Sequence, residues 1–450
     1  MHSPLTTRVL LGSALALSLL ASISAALRPR PVVPPPGQVL VSTGSAVKVE
    51  ARSSHPAVTP ARTEFFHEYT VTLTGEAPAF ERVSLAVVLD RSGSMSGSKI
   101  DEARRAVHRL VDLVQDGDEL ALVTFSSDAA GSAMVRIDAA ARAKLHREID
   151  AIEVSGGTNI QAGLQAGRTA LTTATGARRL VLISDGQPTE GAIDTYSLTA
   201  QVAQTHAERI TVTALGVGMD YDATLLSRLS ERGGGMLGHL VNAEVLEEVL
   251  SKELAAARLA TARNVELELE TEGAVVVDVP GRTPFTRDGR TVVSLADLRP
   301  NVPTRVIVRL RSAASPGADA AVVRARVGWQ ELSGEAHASQ LALASPVLDD
   351  DDEVNHRRDE PLFARGVTAL GQLRVLAAAD AYARGDDALG SSLLDQARSV
   401  FGMSADALAG DTSVQLRREL QGSDRETRRR RSLGLEKKTL ENFGRENEGY

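Results

Sequence analysis

The sequence predicts a doubly wound α/β domain that is flanked by a β-sandwich and followed by a small helical region. Between residues 83 and 254, apolar segments of strand length alternate with amphipathic helical segments. This alternation is typical of a mostly parallel sheet with helices on both faces. Between residues 264 and 347 the helical pattern gives way to short alternating segments separated by Gly and Pro, which predicts a β-sandwich. Helical spacing returns after residue 361.

Four apolar segments predict the strands of the α/β sheet. They read "VSLAVVLD", "ELALVTFSS", "RRLVLISD" and "RITVTALGVG". Because they are apolar at successive positions, and not only at alternate ones, we expect strands that are buried on both faces. Helical patterns such as "GSKIDEARRAVHRLVDLV" and "NIQAGLQAGRTALTTA" lie between them and supply the crossovers that parallel strands require.

The β-sandwich is predicted to draw strands from both sides of the α/β domain. The segment "FFHEYTVTLTG" precedes that domain and alternates like the strands after residue 264. We therefore expect the α/β domain to be inserted into the sandwich. An acidic run at residues 349–353 marks the next boundary and is interpreted as a solvated linker. The predicted domains are a first sandwich part at 46–80, the α/β domain at 81–262, the second sandwich part at 263–348, the helical region at 349–421 and a charged tail at 422–450.

The N-terminus has the pattern of an export signal. Arg8 precedes an apolar run that ends in small residues, so residues 1–27 are predicted to be a signal peptide and residues 28–45 a Pro-rich linker. A cleaved signal is favoured over an uncleaved membrane anchor, which the length of the run would also permit. The protein is therefore expected to be exported, to the periplasm or the extracellular space, with membrane anchoring as the alternative.

Composition excludes several classes of function. The chain has 450 residues, too many for one hydrophobic core. Its formal net charge of −8 argues against general nucleic-acid binding. It has no cysteine, which rules out disulfides, thiolate metal sites and a Cys nucleophile. The histidines show no paired spacing of the kind that marks a metal site.

One strand ends in an acid and two alcohols. In "LAVVLDRSGSMSGSKI", Asp90 closes the strand and Ser92 and Ser94 follow at alternate positions in a Gly-containing turn. Ligands of open parallel sheets bind beyond the carboxyl ends of the strands. A carboxylate left bare there is costly, and a hard cation would compensate it.

Two further segments are expected to meet Asp90 at the same edge of the sheet. Thr158 follows a Gly-Gly turn at the start of a predicted helix, and Asp185 ends the strand "VLISD". Together with the Asp90 loop they supply two carboxylates and three hydroxyls. An all-oxygen set of this kind suits Mg²⁺ or Mn²⁺, and these are favoured over Ca²⁺.

This set resembles the metal-ion-dependent adhesion site of von Willebrand factor type A domains, in which Asp-x-Ser-x-Ser, a Thr and an Asp each occupy their own loop. Asp90, Ser92, Ser94, Thr158 and Asp185 match that motif in order. The layout is also similar to exported bacterial proteins with such a domain. The resemblance implies that Ser92, Ser94 and Thr158 contact the ion, directly or as the state of the domain changes, while the two acids act mainly through water or hydrogen bonds.

The resemblance also implies the function. The expectation is a non-enzymatic adhesion or protein-binding module, in which a Glu or Asp carboxylate of a protein partner completes the coordination of the ion. No histidine or lysine lies in the three ligand loops, so no general base is evident in the sequence. Two alternatives stay open: a scaffold for a membrane-associated chaperone or ATPase complex, and a metal-dependent hydrolase, which is the weaker of the two.

Overall fold

The computed structural model describes residues 33–420, apart from 45, 61–62, 76–81, 219–220, 241–250, 252–253, 255–256, 259–261, 296, 332–333 and 384. The predicted signal peptide at 1–27 and the predicted charged tail at 422–450 lie outside the described residues. Within the described part, no helix combines the length and the hydropathy that crossing a membrane requires.

The described chain alternates between β-rich and mixed segments. Its strands are β1 (Leu40–Gly44), β2 (Val47–Ser53), β3 (Glu64–Leu73), β4 (Val83–Asp90), β5 (Glu119–Phe125), β6 (Ala129–Gly131), β7 (Val135–Arg136), β8 (Ala177–Ser184), β9 (Ile210–Val217), β10 (Gly234–Leu240), β11 (Arg263–Glu272), β12 (Ala274–Asp278), β13 (Phe285–Arg287), β14 (Arg290–Ser294), β15 (Pro303–Ser312), β16 (Ala320–Gln330) and β17 (Ala336–Pro346). Its helices are α1 (Ser98–Leu113), α2 (Ala139–Asp150), α3 (Ile160–Ala170), α4 (Thr195–Ala207), α5 (Ala223–Arg232), α6 (Asp351–His356), α7 (Glu360–Ala383), α8 (Asp387–Phe401), α9 (Ala405–Ala409) and α10 (Ser413–Leu420).

The central sheet confirms the prediction of a doubly wound, mostly parallel α/β fold. Its strand order is β10-β9-β8-β4-β5-β6, with β7 paired to β5. The five long strands run parallel, and only the short β6 and β7 run antiparallel, both against β5. Every residue of β4 and of β9 is buried, which explains why these strands read as continuous apolar runs.

Successive residues of β4 point to opposite helix layers. Leu85 and Val87 pack in one core with α1 and α2. Ala86 and Val88 pack in a second core with α3, α4 and α5. The sheet is thus covered by helices on both faces.

The β-sandwich is formed by two antiparallel sheets on either side of one core. One sheet has the order β1-β2-β3-β15-β12 and the other β13-β14-β11-β16-β17. The first sheet therefore combines strands that precede the α/β domain with strands that follow it. The shared core includes Tyr69, Leu267, Val308 and the single Trp of the chain, Trp329. β1 lies inside the segment predicted as a linker, because its residues pair with β2 from Leu40 onward.

The helices after the sandwich pack on the outer face of its first sheet. Phe66 of β3 contacts Phe363 of α7, with ring centroids 5.8 Å apart. Both belong to a core that also holds Leu394 and Phe401 of α8. The acidic run at 349–353 is not a linker, because Asp350 caps α6 by accepting hydrogen bonds from the backbone N–H groups of residues 352 and 353. Acids at a helix N-terminus are favoured by the helix dipole.

Candidate metal centre

Asp90 is held by hydrogen bonds at the carboxyl end of β4. The residue is 0% exposed. Its Oδ1 accepts from the backbone N–H of Ser92 at 2.8 Å, and its Oδ2 accepts from the Ser184 hydroxyl at 2.6 Å. Burial raises the pKa of Asp90 to about 6, hydrogen bonds from Ser184 and Ser92 act against this, and the charge of Asp185 raises it further. The carboxylate is therefore fixed in position, and its charged form is destabilised by burial and by the charge of Asp185.

Ser92 and Ser94 lie side by side in the turn after Asp90. Their hydroxyl oxygens are 3.0 Å apart. Ser92 is buried and Ser94 is exposed, so the pair leads from the Asp90 carboxylate to the surface. One turn of 3₁₀ helix, Gly93–Met95, sets this spacing, and the buried Met95 anchors the turn in the core. The alternate spacing seen in the sequence thus places both hydroxyls at one point.

Thr158 lies in a loop that is bonded to both of the other loops. The backbone N–H of Gly93 donates to Gly156 O at 3.0 Å, which joins this loop to the Asp90 loop. Thr158 N–H donates to Thr189 Oγ1 at 2.9 Å, and Thr158 O accepts from Thr189 N–H at 2.9 Å. Thr189 follows Asp185 along the chain. Thr158 itself is 3% exposed, and the next residue, Asn159, caps α3.

Asp185 follows the last residue of β8 and is 2% exposed. Its Oδ2 accepts from Lys99 Nζ at 3.1 Å. Its Oδ1 is buried and has no hydrogen-bond partner among the described residues. An unpartnered buried carboxylate oxygen is costly, so this atom points to a group that a bound cation would satisfy.

Lys99 is a site residue that sequence reasoning missed. It stands in the first turn of α1 and not in the loop, yet its ammonium reaches Asp185. Its stem passes over Gly218, where an added Cβ would come within 3.0 Å of Lys99 Cε. The available signal was the position of a lysine in the first turn of the helix that leaves the Asp90 loop.

The donor set fits a small hard cation. Asp90 is hydrogen-bonded to Ser92, whose hydroxyl contacts that of Ser94. Asp185 is linked to Asp90 through the adjacent Ser184, and the Thr158 loop is hydrogen-bonded to the loops of both acids. All of these donors are oxygens, which is the preference of Mg²⁺ and Mn²⁺. In the described part of the chain, no cluster of three or more His, Asp or Glu side chains could hold a metal. A site here therefore depends on the hydroxyls.

Asp128, in the loop after β5, lies outside this donor set. Its side chain is 86% exposed and approaches Arg91 at 3.5 Å. Asp128 has the same side chain as the two buried acids but is exposed. Its substitution is therefore a matched control for theirs.

An α/β sheet with hydroxyls and buried acids at its carboxyl edge defines a class of domain, and known proteins of similar sequence point to one family. The family model of the von Willebrand factor type A domain matches residues 84–252. This part of the chain is similar to that family in sequence and has a mostly parallel α/β fold of the same class. The match ends before most of the sandwich and all of the C-terminal helices.

Two relatives are similar to this segment in sequence. YfbK of Escherichia coli (strain K12) is 26% identical over 200 residues, which is 43% of this chain and 35% of that protein. Inter-alpha-trypsin inhibitor heavy chain H2 of Mus musculus is 27% identical over 193 residues, which is 41% of this chain and 20% of that protein. The chain thus matches about a third or less of the length of these relatives.

Two solved structures share the fold over most of the chain. The von Willebrand factor type A protein from Catenulispora acidiphila has a TM-score of 0.66 at 18% identity and covers 88% of this chain and 98% of its own. The ArnB paralog VWA2 from Sulfolobus acidocaldarius has a TM-score of 0.58 at 15% identity and covers 89% and 99%. The similarity therefore extends beyond the type A domain to the additional sheets and helices.

Proposed function

We propose that this protein is an exported, divalent-metal-dependent protein-binding module whose site takes Mg²⁺ or Mn²⁺. The observation that carries the proposal is the pair of buried acids, Asp90 and Asp185, beside the Ser92–Ser94 hydroxyl pair, with Asp185 Oδ1 unpartnered. Ser92, Ser94 and Thr158 would hold the cation, and Asp90 and Asp185 would act through water or hydrogen bonds. A cation bound there supplies a Lewis-acidic position for a carboxylate of the partner.

The protein's own residues prepare this site for an acidic partner. Ser184 and the Ser92 backbone N–H hold Asp90 in place before any ion binds. Lys99 offsets one of the two negative charges by pairing with Asp185. Neutral hydroxyl ligands leave most of the charge of a cation uncancelled, so an external anion is attracted.

Two exposed apolar residues that follow the Asp185 loop along the chain support a protein partner. Ile193 is 63% exposed and Tyr196 is 83% exposed. They follow Thr189, which is hydrogen-bonded to the Thr158 loop. Exposed aromatic residues near a polar anchor are typical centres of protein interfaces. A partner that presents a carboxylate next to apolar side chains fits this surface.

A binding role is favoured over hydrolysis. Lys99 is near the site, but its ammonium donates to Asp185 and is the cationic member of an ion pair. A hydrolase would need a group free to accept a proton from water. We therefore propose that the domain is not catalytic.

Calorimetric titration of the full chain with Mg²⁺ tests the metal dependence. We expect one site that is lost in Asp90→Asn and in Asp185→Asn, and retained in the matched control Asp128→Asn. Equal binding by all three variants would refute the assignment.

Cross-linked capture from the native envelope, with and without EDTA, then tests whether the partner interaction needs the ion. Mass spectrometry of the native N-terminus tests export with cleavage of the signal.

A further inference from the structure

Two histidines from different helices meet on the surface of the α/β domain. His108 of α1 and His146 of α2 place their Nδ1 atoms 2.6 Å apart. The ring planes are inclined by 21° and the centroids are 4.9 Å apart. Rings stacked face to face keep all atoms at van der Waals separation, above about 3 Å. A 2.6 Å contact therefore means that the rings meet edge to edge, with each Nδ1 aimed at the other.

Each ring is backed by a carboxylate from the opposite helix. His108 Nε2 lies 3.0 Å from Asp150 Oδ1 of α2, and His146 Nε2 lies 3.1 Å from Asp112 Oδ1 of α1. The two helices contribute the same spacing, "HRLVD" and "HREID", and the contacts are reciprocal. The sequence shows no paired histidine spacing because the two partners are brought together only by helix packing.

This arrangement calls for a cation between the rings. When Nε2–H donates to a carboxylate, Nδ1 of a neutral imidazole carries a lone pair. Two such lone pairs would face each other at 2.6 Å and repel, unless a cation lies between them. That cation is either a shared proton or a metal ion.

We propose that His108 and His146 form a second metal site, which takes a divalent transition metal of the Zn²⁺ class between their Nδ1 atoms. Imidazole suits Zn²⁺, Cu²⁺ and Ni²⁺, whereas Mg²⁺ prefers oxygen. Histidine ligands of metals commonly donate their other N–H to a carboxylate, which is the role that Asp112 and Asp150 already fill.

A small movement of the two rings would make room for the ion. Zn–N bonds of about 2.0–2.1 Å in a tetrahedral site need the two nitrogens to move less than about 1 Å apart. The side chains of His108 and His146 are 27% and 31% exposed, so they can rotate and water can supply the remaining ligands. Both carboxylates lie behind the rings, so the site has two protein ligands.

Such an ion would fasten α1 to α2. α1 begins directly after the Ser92–Ser94 turn and carries Lys99 in its first turn. Metal binding that requires the folded helix pair raises the thermal stability of the domain. The site is separate from the proposed Mg²⁺ site and differs from it in ligand chemistry.

The test is titration of the full chain with Zn²⁺ in the presence of saturating Mg²⁺, followed by calorimetry and by the melting temperature. We expect one Zn²⁺ site with a rise in melting temperature. Both are lost in His108→Gln and in His146→Gln, and both are retained in His356→Gln, which removes an exposed histidine of α6. Asp150→Asn should weaken Zn²⁺ binding by about tenfold, because it removes only the group that orients the ring.

Absorption of bound Co²⁺ provides a second readout that does not depend on folding stability. Visible bands of nitrogen-ligated Co²⁺ should appear in the wild type and be absent in His108→Gln. If wild type and His108→Gln bind Zn²⁺ and Co²⁺ equally, the proposal is overturned and the pair holds only a shared proton. Circular dichroism and the Mg²⁺ titration of each variant show that it is folded. A negative result here leaves the Mg²⁺ result unaffected, so the two proposals fail separately.

Discussion

Lys99 Nζ lies 3.1 Å from Asp185 Oδ2, which places a fixed positive charge beside the candidate metal centre. The ammonium is partly exposed and the carboxylate is 3% exposed, so the buried Asp185 holds the lysine side chain at the site. A positive charge at this point opposes a second cation and offsets one of the two carboxylates. Lys99 thus adjusts the net charge of the site.

Lys99→Met should therefore bind Mg²⁺ more tightly than the wild type. Removing one unit charge at the rim of a partly solvated site changes the binding free energy by about 1 kcal/mol, or roughly fivefold in affinity. Calorimetric titration measures the effect. Lys144→Met is the matched control, since Lys144 is exposed on α2 and pairs with Glu148 at 3.6 Å. Unchanged or weaker Mg²⁺ binding by Lys99→Met would show that the ammonium does not act on the site.

Tyr196→Ser should weaken binding of the captured partner without changing Mg²⁺ binding. The side chain is 83% exposed in the first turn of α4, which follows the loop that carries Thr189, so it can act as an apolar anchor. Loss of such an anchor reduces affinity by about tenfold or more. Surface plasmon resonance with the partner recovered by EDTA-sensitive capture measures this. Leu389→Ser removes a 44% exposed apolar residue from α8 and should have no effect. Equal affinity of the two variants for the partner would show that Tyr196 is not part of the binding surface.

Gly163→Ala should destabilise the α/β domain. A Cβ at this position would lie 2.7 Å from Phe125 Cδ1 and 3.1 Å from Val88 Cγ1, so α3 could no longer approach the sheet as closely. Overpacking of this kind costs about 1–3 kcal/mol. Urea denaturation measures the free energy of unfolding. In Gly410→Ala the new Cβ would meet only Ala407 O at 3.6 Å, and stability should change by less than about 0.5 kcal/mol. A destabilisation of the same size in both would contradict the packing argument.

The folded protein should lose stability as the pH falls below 6.5, because two histidines of the sandwich are buried in neutral form. Burial lowers the pKa of His67 to about 3, and burial together with the charge of Arg358 lowers that of His55 to about 3. Below pH 6.5 the unfolded chain takes up protons that the folded chain does not, so stability is complete above 6.5 and declines toward pH 3. Each histidine contributes up to about 1.4 kcal/mol per pH unit.

His67→Phe should flatten this decline. The substitution removes one buried histidine whose pKa is lowered, so the slope of unfolding free energy against pH should fall by about 1 kcal/mol per pH unit between pH 6 and pH 4. Urea denaturation at several pH values gives the slope. His356→Phe changes an exposed histidine and should leave the slope as it is. An unaltered slope in His67→Phe would mean that His67 is protonated in the folded state.

The α/β fold could be predicted because its strands are buried on both faces, and the sequence of each strand is therefore almost entirely apolar. β4, β8 and β9 read as mostly continuous apolar runs, and each is followed by a segment whose apolar residues have helical spacing. β6 and β7 span only three and two residues, too few for any pattern to appear. β1 was predicted as linker because the prolines before it dominate the local composition, whereas its pairing with β2 is a tertiary effect.

The candidate site was predictable to the extent that its residues end strands or enter helices. Asp90 and Asp185 follow apolar strands, and Thr158 precedes a helix cap, so topology places them at one edge. Lys99 and the His108–His146 pair depend on the directions of side chains from packed helices. Such directions cannot be derived from spacing along the chain, so the position of Lys99 in the first turn of α1 is only a weak signal and the histidine contact has none.

Anomalous scattering from crystals of the full chain grown with Mn²⁺ would locate the metal ion itself. We expect a Mn²⁺ peak at the carboxyl edge of the sheet, at about 2.1 Å from the hydroxyls of Ser92, Ser94 and Thr158. A structure with saturating Mn²⁺ and no peak between these hydroxyls would contradict it.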